Sequence, residues 1–452
     1  MNTRISLVLA IPLVLFAAAF VQAQSLPDVS SVQELPSTSP VVPRYERLKP
    51  LSTHAQPDFL DTATIPTLGP HAQSGTAFSL AHVRSVPNFQ SSFSSRGKNW
   101  PFTMIGAPPS GGASVNVPAK IIAISLKLQN ADLVTFTTVS VTAFKTLTLN
   151  SPNFQPATYS SGKSIQFADA VQRAEFFHMM KSTWHTSLRP TTIVQSLTLN
   201  VPRFTTITLN GKKTQVRTYF TGKSSDGHTV VFLLDQFFFQ KISTIVVNEI
   251  NAGRFTTGAM NMTLLTNTFL YSVNSTGGMG ACCVLGFHTF FTNNGTPTES
   301  RWVFAFASWI SPGIFGGGFR DVTALSHEIS EAFDDPFVNN LVPAWQFPNQ
   351  PGTCQDDLEV GDPVEVLNNV VFPVKIGTTT YHPQTEALLQ WFEQKTTSNA
   401  ISGAFSYPNT KALTKSATAF GPLTCPWSQY EVNREKRDRV RSRFLSLELL
   451  RT

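Results

Sequence analysis

A histidine and two glutamates lie at helical spacing in the middle of the chain, in the order His-Glu-x-x-Glu (His327, Glu328, Glu331). The step from His327 to Glu331 places an imidazole and a carboxylate one helical turn apart. Both groups are zinc ligands, and a catalytic zinc uses three protein ligands and a water. In the zincin motif His-Glu-x-x-His, the glutamate between the two ligands is the general base. The pattern therefore predicts His327 and Glu331 as zinc ligands and Glu328 as the general base.

The surrounding residues predict a helix over 321–333, which Asp321 caps and Pro336 ends. One face of this helix is apolar and consists of Val322, Leu325, Ile329, Ala332 and Phe333. His327, Glu331 and Asp334 line up on the opposite face, which predicts a supporting role for Asp334 behind the ligands. The ordinary alternative is a solvated polar face that binds no metal.

An acidic turn downstream supplies a third ligand. Glu359 and Asp362 flank Gly361 in the segment CQDDLEVGDP, and Glu359 follows Glu331 by 28 residues. This spacing is typical of zincins that recruit a distant glutamate, so we expect Glu359 to bind the metal and Asp362 to support it. A solvated acidic turn is the alternative. Two further histidines, His288 and His382, are candidates for substrate contact, against an ordinary structural role.

Three segments, CCVLGFH, ALSHEISEAFDDPFVNN and CQDDLEVGDP, resemble a group of uncharacterised secreted bacterial proteins. More distantly, the chain is similar to the plant EXORDIUM, or phosphate-induced protein, family. Members carry His-Glu-x-x-Glu, then Glu-x-x-Asp, then a segment like Leu389-Gln390-Trp391. The resemblance implies His327, Glu331 and Glu359 as metal ligands, Glu328 as base and a zincin-like fold. The cysteine that follows the aspartate in the plant pattern is absent here, where Pro363 follows Asp362.

The pattern of apolar residues predicts an α+β fold with a mixed sheet and an active-site helix. Strands are expected at residues 119–128, 133–141, 196–199, 205–209, 229–234, 241–247, 269–273, 282–291 and 301–309, and a helix at 167–181. Four regions follow: a signal peptide over 1–23, a Ser/Pro-rich and largely disordered linker over 24–112, a single domain over 113–425, and a basic tail over 426–452.

The first 23 residues combine a positive start, an apolar run and the small-residue pattern Val21-Gln22-Ala23. That order predicts a cleaved secretory signal, and hence a periplasmic or extracellular protein without membrane attachment. The net charge of +6 is concentrated in the mixed tail segment 431–443, which indicates a solvated terminal helix rather than nucleic-acid binding.

An exported chain permits disulfides among its four cysteines, which are Cys282, Cys283, Cys354 and Cys425. Three pairings are possible. Sequence neighbours rarely bond to each other, so Cys282 and Cys283 are expected to have distant partners, or one of them to stay free.

These observations predict a secreted zinc-dependent hydrolase of the peptidase class, acting on an extracellular peptide or a wall-associated substrate. Glu328 would take the proton of a metal-bound water and pass it to the leaving amine. A non-catalytic interaction protein with a degenerate or structural metal site is the first alternative. A glycosidase is the second, although Glu328 and Glu331 lie too close together on one helix to flank a sugar.

Overall fold

The computed structural model describes residues 83–417, apart from 161, 293–298, 316–317, 349–353 and 369. The fold is mixed α/β, with one large sheet, several two-stranded ribbons and six α-helices in the described part. The helices are α1 Thr142–Leu149, α2 Phe167–Glu175, α3 Asp235–Asn251, α4 Thr323–Asp334, α5 Asp362–Glu365 and α6 Leu389–Phe392. The presence of both helices and a mixed sheet agrees with the coarse expectation of a fold that combines the two.

The strands are, in chain order, β1 Val83–Arg84, β2 Asn88–Ser95, β3 Lys98–Ile105, β4 Ser114–Gln129, β5 Phe136–Val139, β6 Ala157–Thr158, β7 Ser164–Ile165, β8 His185–Val201, β9 Phe204–Leu209, β10 Lys212–Arg217, β11 Tyr219–Lys223, β12 Thr229–Leu234, β13 Met260–Thr266, β14 Thr268–Val273, β15 Met279–Val284, β16 Gly286–Thr292, β17 Glu299–Trp309, β18 Leu341–Gln346, β19 Cys354–Asp357, β20 Val374–Ile376, β21 Thr379–Tyr381, β22 Glu386–Ala387 and β23 Ser406–Tyr407.

The large sheet positions the helix that carries the His-Glu-x-x-Glu motif. Its central strands run β8–β4–β13–β17–β16, and the pairings are parallel except between β17 and β16. Strands β13 and β17 are buried almost throughout, as parallel strands covered on both faces must be. Helix α4 packs on β17 and the antiparallel strand β16, with α2 and β3 also against it.

The expectation of a strand over 241–247 is wrong, because these residues form the second half of α3. The β-branched run Ile-Ser-Thr-Ile-Val-Val has strand propensity, which misled the local interpretation. Phe238, Ile242, Val246 and Ile250 recur every four residues and are all buried. Their spacing places all four on one face of α3, and the burial of that face outweighs the strand propensity of the β-branched residues.

The expectation of a linker does not hold for residues 83–112. Strands β2 and β3 form an antiparallel hairpin in register from Asn88–Ile105 to Ser95–Lys98. Its inward residues Phe89, Phe102 and Met104 join a second hydrophobic cluster with Trp345 and Trp391. The signal peptide predicted over 1–23, residues 24–82 and the tail over 426–452 lie outside the described residues.

The expectation for the neighbouring cysteines is also wrong, since Cys282 and Cys283 are bonded to each other. They lie at the end of β15, next to the turn that leads into β16. Cys425 lies outside the described residues. The single strand expected over 282–291 is divided between β15 and β16, which belong to different sheets. The other predicted elements are present, with a shorter strand at Phe136–Val139 and a shorter helix at Phe167–Glu175 than expected.

Candidate metal centre

Helix α4 is buried on all sides. Its apolar residues face the large sheet, as predicted, but the side chains of His327, Glu328 and Glu331 are also 0% exposed. A solvated polar face is therefore excluded. Ionisable groups that are removed from water in this way need compensating charge or hydrogen bonds, so their common burial marks a site rather than a surface.

Strand β16 brings His288 and Gly286 to α4. Alternate residues of a strand point to the same side, so these two positions face the helix together. The Nδ1 atom of His288 lies 3.7 Å from Glu328 Oε2 and 3.6 Å from Glu331 Oε2. A β-carbon at Gly286 would come within 2.5 Å of Glu328 Oε1 and 2.8 Å of the Phe306 carbonyl oxygen. The glycine therefore provides the room that Glu328 occupies.

The turn between β19 and α5 brings the acidic pair to the same place. Glu359 Oε2 lies 3.9 Å from Nε2 of His288, and Asp362 Oδ1 lies 3.8 Å from Nε2 of His327. The amide of Gly361 donates to Glu331 Oε1 over 2.9 Å. A β-carbon at Gly361 would lie 2.3 Å from Nδ1 of His327, so the backbone of this turn rests directly on the imidazole ring.

A segment that precedes and includes β22 closes the site. The side-chain nitrogen Nε2 of Gln384 donates to the Gly361 carbonyl over 2.7 Å and lies 3.0 Å from Nδ1 of His327. Two residues later, Glu386 is fully buried, and neither of its carboxylate oxygens has a hydrogen bond within the described part of the chain. The segment is held against α4, since the backbone N–H of Gln384 donates to Ser326 Oγ over 2.8 Å. Neither Gln384 nor Glu386 was predicted from the sequence. The one sequence feature that points to them is their separation by two residues in an extended segment, which directs both side chains to the same side.

The potential ligands form two groups that share one residue. His288, Glu331 and Glu359 form the first, and His327, Glu331 and Asp362 form the second; within each group, one donor atom per residue lies within 4.8 Å of the others. The predicted ligands His327, Glu331 and Glu359 thus lie near one another, but they do not form a single group. Glu331 belongs to both groups, Glu359 only to the first and His327 only to the second. His288, which sequence assigned to substrate contact, lies among the potential ligands.

The electrostatics of the cluster follow from its burial and its mixed charges. Burial alone would raise the pKa of Glu331, but the facing imidazoles of His327 and His288 hold it at about 2. Burial opposes a charge on His327, yet the carboxylates of Glu331, Glu328 and Glu386 raise its pKa well above the ordinary value. The pKa of Glu386 is raised well above its ordinary value, first by burial and then by neighbouring carboxylates, although His327 opposes the rise. The carboxylates of the cluster therefore favour a positive charge on His327.

Asp334 was expected to support the ligands, but it belongs to a separate acidic pair at the end of α4. Its Oδ1 accepts a hydrogen bond of 3.3 Å from Gln172 of α2. The charge of Asp334 also acts on Glu175, which is fully buried. Burial, followed by the charges of Glu331 and Asp335, raises the pKa of Asp334 to about 8, although the Gln172 hydrogen bond opposes the rise. Asp334 therefore lies outside both ligand groups, and its raised pKa favours the protonated form.

Replacing Asp334 with asparagine is expected to stabilise the protein at neutral pH. The pKa of Asp334 is about 8 in the folded protein and 3.8 in the unfolded chain. The free energy of unfolding is therefore highest below pH 3.8 and falls as the pH rises from 3.8 towards about 8. Asparagine removes this loss and keeps the acceptor for Gln172. The free energy of unfolding should therefore rise by at least about 1 kcal/mol at pH 7.5, and change by less than about 0.5 kcal/mol at pH 4. Urea denaturation at the two pH values measures both.

The neighbouring Asp335 provides a control of opposite sign. Its carboxylate accepts hydrogen bonds from the amides of Asn339 at 2.9 Å and Asn340 at 3.0 Å. Asparagine at this position loses an acceptor oxygen, so Asp335→Asn should destabilise the protein at pH 7.5. Stabilisation by both substitutions would show that general charge reduction, and not the burial of Asp334, is responsible.

The remaining predicted residues lie at the start of α4, away from both ligand groups. Nδ1 of His382 lies 2.6 Å from Asp321 Oδ2, so this histidine is paired with a carboxylate. Asp321 was expected to cap α4, but the cap residue is Val322, whose side chain makes no capping hydrogen bond. Asp321 instead accepts from the amides of Val322 and His382, because it lies one residue too early and holds the following segment against the helix.

None of the helices in residues 83–417, as far as they are described, is long and apolar enough to cross a membrane. Comparison of the chain with protein-family models, with curated proteins and with solved structures finds no match.

Proposed function

We propose that the protein is a secreted, metal-dependent hydrolase of the peptidase class, with its metal bound around Glu331. One observation carries this proposal. Two imidazoles and four carboxylates, those of Glu328, Glu331, Glu359 and Asp362, lie together at 0–2% exposure on three different parts of the fold. Such a set of buried donors is what a divalent zinc site requires.

The distances between donor atoms fit a metal. Zinc bonds of 2.0–2.2 Å in a tetrahedral site place neighbouring ligand atoms roughly 3.3–3.6 Å apart. The separation of His288 Nδ1 and Glu331 Oε2 is 3.6 Å, and Glu359 Oε2 lies 3.9 Å from the other ring nitrogen, Nε2. An ion held by Glu331 and Glu359 together would bind only one of these two nitrogens. His327 Nε2 and Glu331 Oε2 lie 2.9 Å apart, a hydrogen-bond distance that has to lengthen by about half an ångström around an ion.

Glu328 is placed for the role of general base. It is next to His327 on α4 and 3.7 Å from His288, yet it belongs to neither ligand group, so its carboxylate is available for proton transfer. A bound zinc would lower the pKa of a water molecule to about 7. Glu328 would accept the proton of that water and deliver it to the leaving amine. The space left by Gly286 holds the carboxylate at this position.

The predicted signal peptide places the substrate outside the cytoplasm, where an exported peptidase meets extracellular or wall-associated peptides. The predicted ligand chemistry is that of zinc, whose preference for imidazole and carboxylate matches the donors present. No nucleic-acid partner is proposed, since the donors of the centre are anionic and would repel phosphate.

The complete burial of the centre favours a second candidate, a secreted interaction protein with a structural metal. Structural zinc sites are closed by protein ligands, whereas catalytic ones keep a position open to water. The side chains of His288, His327 and Glu331 are all 0% exposed. The two candidates differ in one measurable property: only the hydrolase loses catalysis when Glu328 loses its basicity while the metal stays bound.

A further inference from the structure

Glu331 is the residue at which the two ligand groups meet. Its Oε1 is held by the amide of Gly361, at 2.9 Å. Its Oε2 faces both imidazoles, at 2.9 Å from His327 Nε2 and 3.6 Å from His288 Nδ1. One carboxylate oxygen therefore lies between two histidines, each of which has a second carboxylate of its own. Those second carboxylates are Glu359 on the side of His288 and Asp362 on the side of His327.

The cluster holds more buried carboxyl groups than one ligand group uses. Glu328, Glu331, Glu359, Asp362 and Glu386 are five carboxyl groups, all at most 2% exposed. One ion placed in either of the two donor groups leaves the imidazole and the carboxylate of the other group buried without a cation. Buried charge that is not neutralised is costly, which favours the second ion.

Glu386 adds an independent observation on the side of His327. It lies close enough to His327, Glu331 and Glu328 for their charges to act on its carboxyl group. It is fully buried, and both of its oxygens lack a hydrogen bond within the described residues. A buried carboxyl group in this state, directed into a cluster that already holds imidazole and carboxylate donors, is an additional ligand for a cation.

We propose that the centre binds two divalent cations bridged by Glu331, and this proposal rests on the metal-dependent function above. His288 and Glu359 hold one ion, while His327 and Asp362, with Glu386 beside them, hold the other. Paired ions in hydrolases lie about 3.5–4 Å apart and stabilise both the attacking and the leaving oxygen or nitrogen. The substrate class that follows is a peptide in which the second ion binds a group close to the cleaved bond, such as a free amino terminus.

Counting bound zinc in the full-length mature protein tests the proposal. The protein is stripped with a chelator, loaded with zinc alone, dialysed against metal-free buffer and analysed by plasma mass spectrometry. Two zinc ions per chain are expected. Asp362→Asn and His288→Gln should each lower the count to one, because each removes a ligand of one ion only. Glu331→Gln should lower the count below one, because it removes the shared ligand.

A matched control is Asp321→Asn, which alters a carboxylate–histidine pair outside both ligand groups and should retain two ions. Thermal unfolding of each variant shows whether a lost ion reflects a lost fold. One zinc per chain in the wild-type protein would overturn the paired centre and leave the proposed function standing. No zinc would overturn both. Two ions that survive Glu331→Gln would show adventitious binding only, and would likewise overturn the shared-ligand arrangement.

Discussion

Replacing Gly361 with alanine is expected to lower the metal affinity of the protein by at least tenfold. A β-carbon at this position would lie 2.3 Å from Nδ1 and 2.5 Å from Cε1 of His327, closer than real contacts allow. The ring is 0% exposed and has no room to retreat, so either His327 or the turn that carries Glu359 and Asp362 must shift. A shift of several tenths of an ångström breaks ligand geometry that metals require within about 0.2 Å. Competition with a fluorescent zinc chelator measures the affinity.

The matched control is Gly258→Ala. Gly258 has an ordinary backbone conformation, and a β-carbon there would meet nothing within 4 Å. This variant should retain the wild-type metal affinity within about twofold. If Gly361→Ala binds metal as tightly as Gly258→Ala does, the turn does not rest on a ligand, and the assignment of His327 to the centre is wrong.

Replacing Glu328 with glutamine is expected to lower kcat by about 10²–10⁴-fold and to leave the bound metal unchanged. General acid–base catalysis contributes a factor of this size, and glutamine preserves the shape of the side chain while removing its basicity. Because Glu328 lies outside both ligand groups, the metal should stay. Hydrolysis of a peptide library, with metal content measured on the same samples, gives both quantities.

The matched control for this substitution is Glu249→Gln on α3, which removes a buried carboxylate paired with Arg254 far from the centre. It should leave kcat unchanged. If Glu328→Gln is as active as the wild-type protein, Glu328 is not the general base. A metal-bound protein that cleaves no peptide in either form would favour the structural-metal candidate.

The helix that carries the motif could be predicted from sequence because its apolar residues recur with helical period over its whole length. Glu359 was found because an acidic turn with a glycine is conspicuous beside such a helix. Strand β17 was predicted at 301–309, two residues short of its observed start. Its parallel neighbour β13 was not predicted, since a buried strand and a buried helix both appear as continuous apolar runs. The wrong strand at 241–247 is one such case.

The role of His288 could not be predicted, because it depends on which strand lies antiparallel at the end of the large sheet. Strand β16 pairs with β17 so that His288 is opposite Ala305, and this register turns the imidazole towards α4. Pairing between distant segments is not encoded in local spacing. The same reasoning applies to Glu386, which reaches the centre through a hydrogen bond of 2.7 Å between the Ala387 amide and the Val360 carbonyl. Gly286 and Gly361 are informative only once their neighbours in space are known.

The burial of the polar face of α4 could not be predicted from the sequence either. The periodicity distinguishes an apolar from a polar face, but it does not reveal that α2, β3 and the segments around α5 and β22 cover the polar one. Of these covering elements, the segments around α5 and β22 supply the carboxyl groups of Glu359, Asp362 and Glu386. A polar helix face that is covered by acidic turns, and not by water, is what distinguishes a metal centre from an ordinary amphipathic helix.

The central claim is that this buried cluster binds metal, and the metal content of the purified mature protein tests it most directly. Plasma mass spectrometry is performed on the wild-type protein beside a His327→Ala, Glu331→Ala double variant, with unfolding curves to confirm that both are folded. The account predicts at least one zinc per chain in the wild-type protein and less than about a tenth as much in the variant. No metal in either protein, even after zinc is offered, would contradict it.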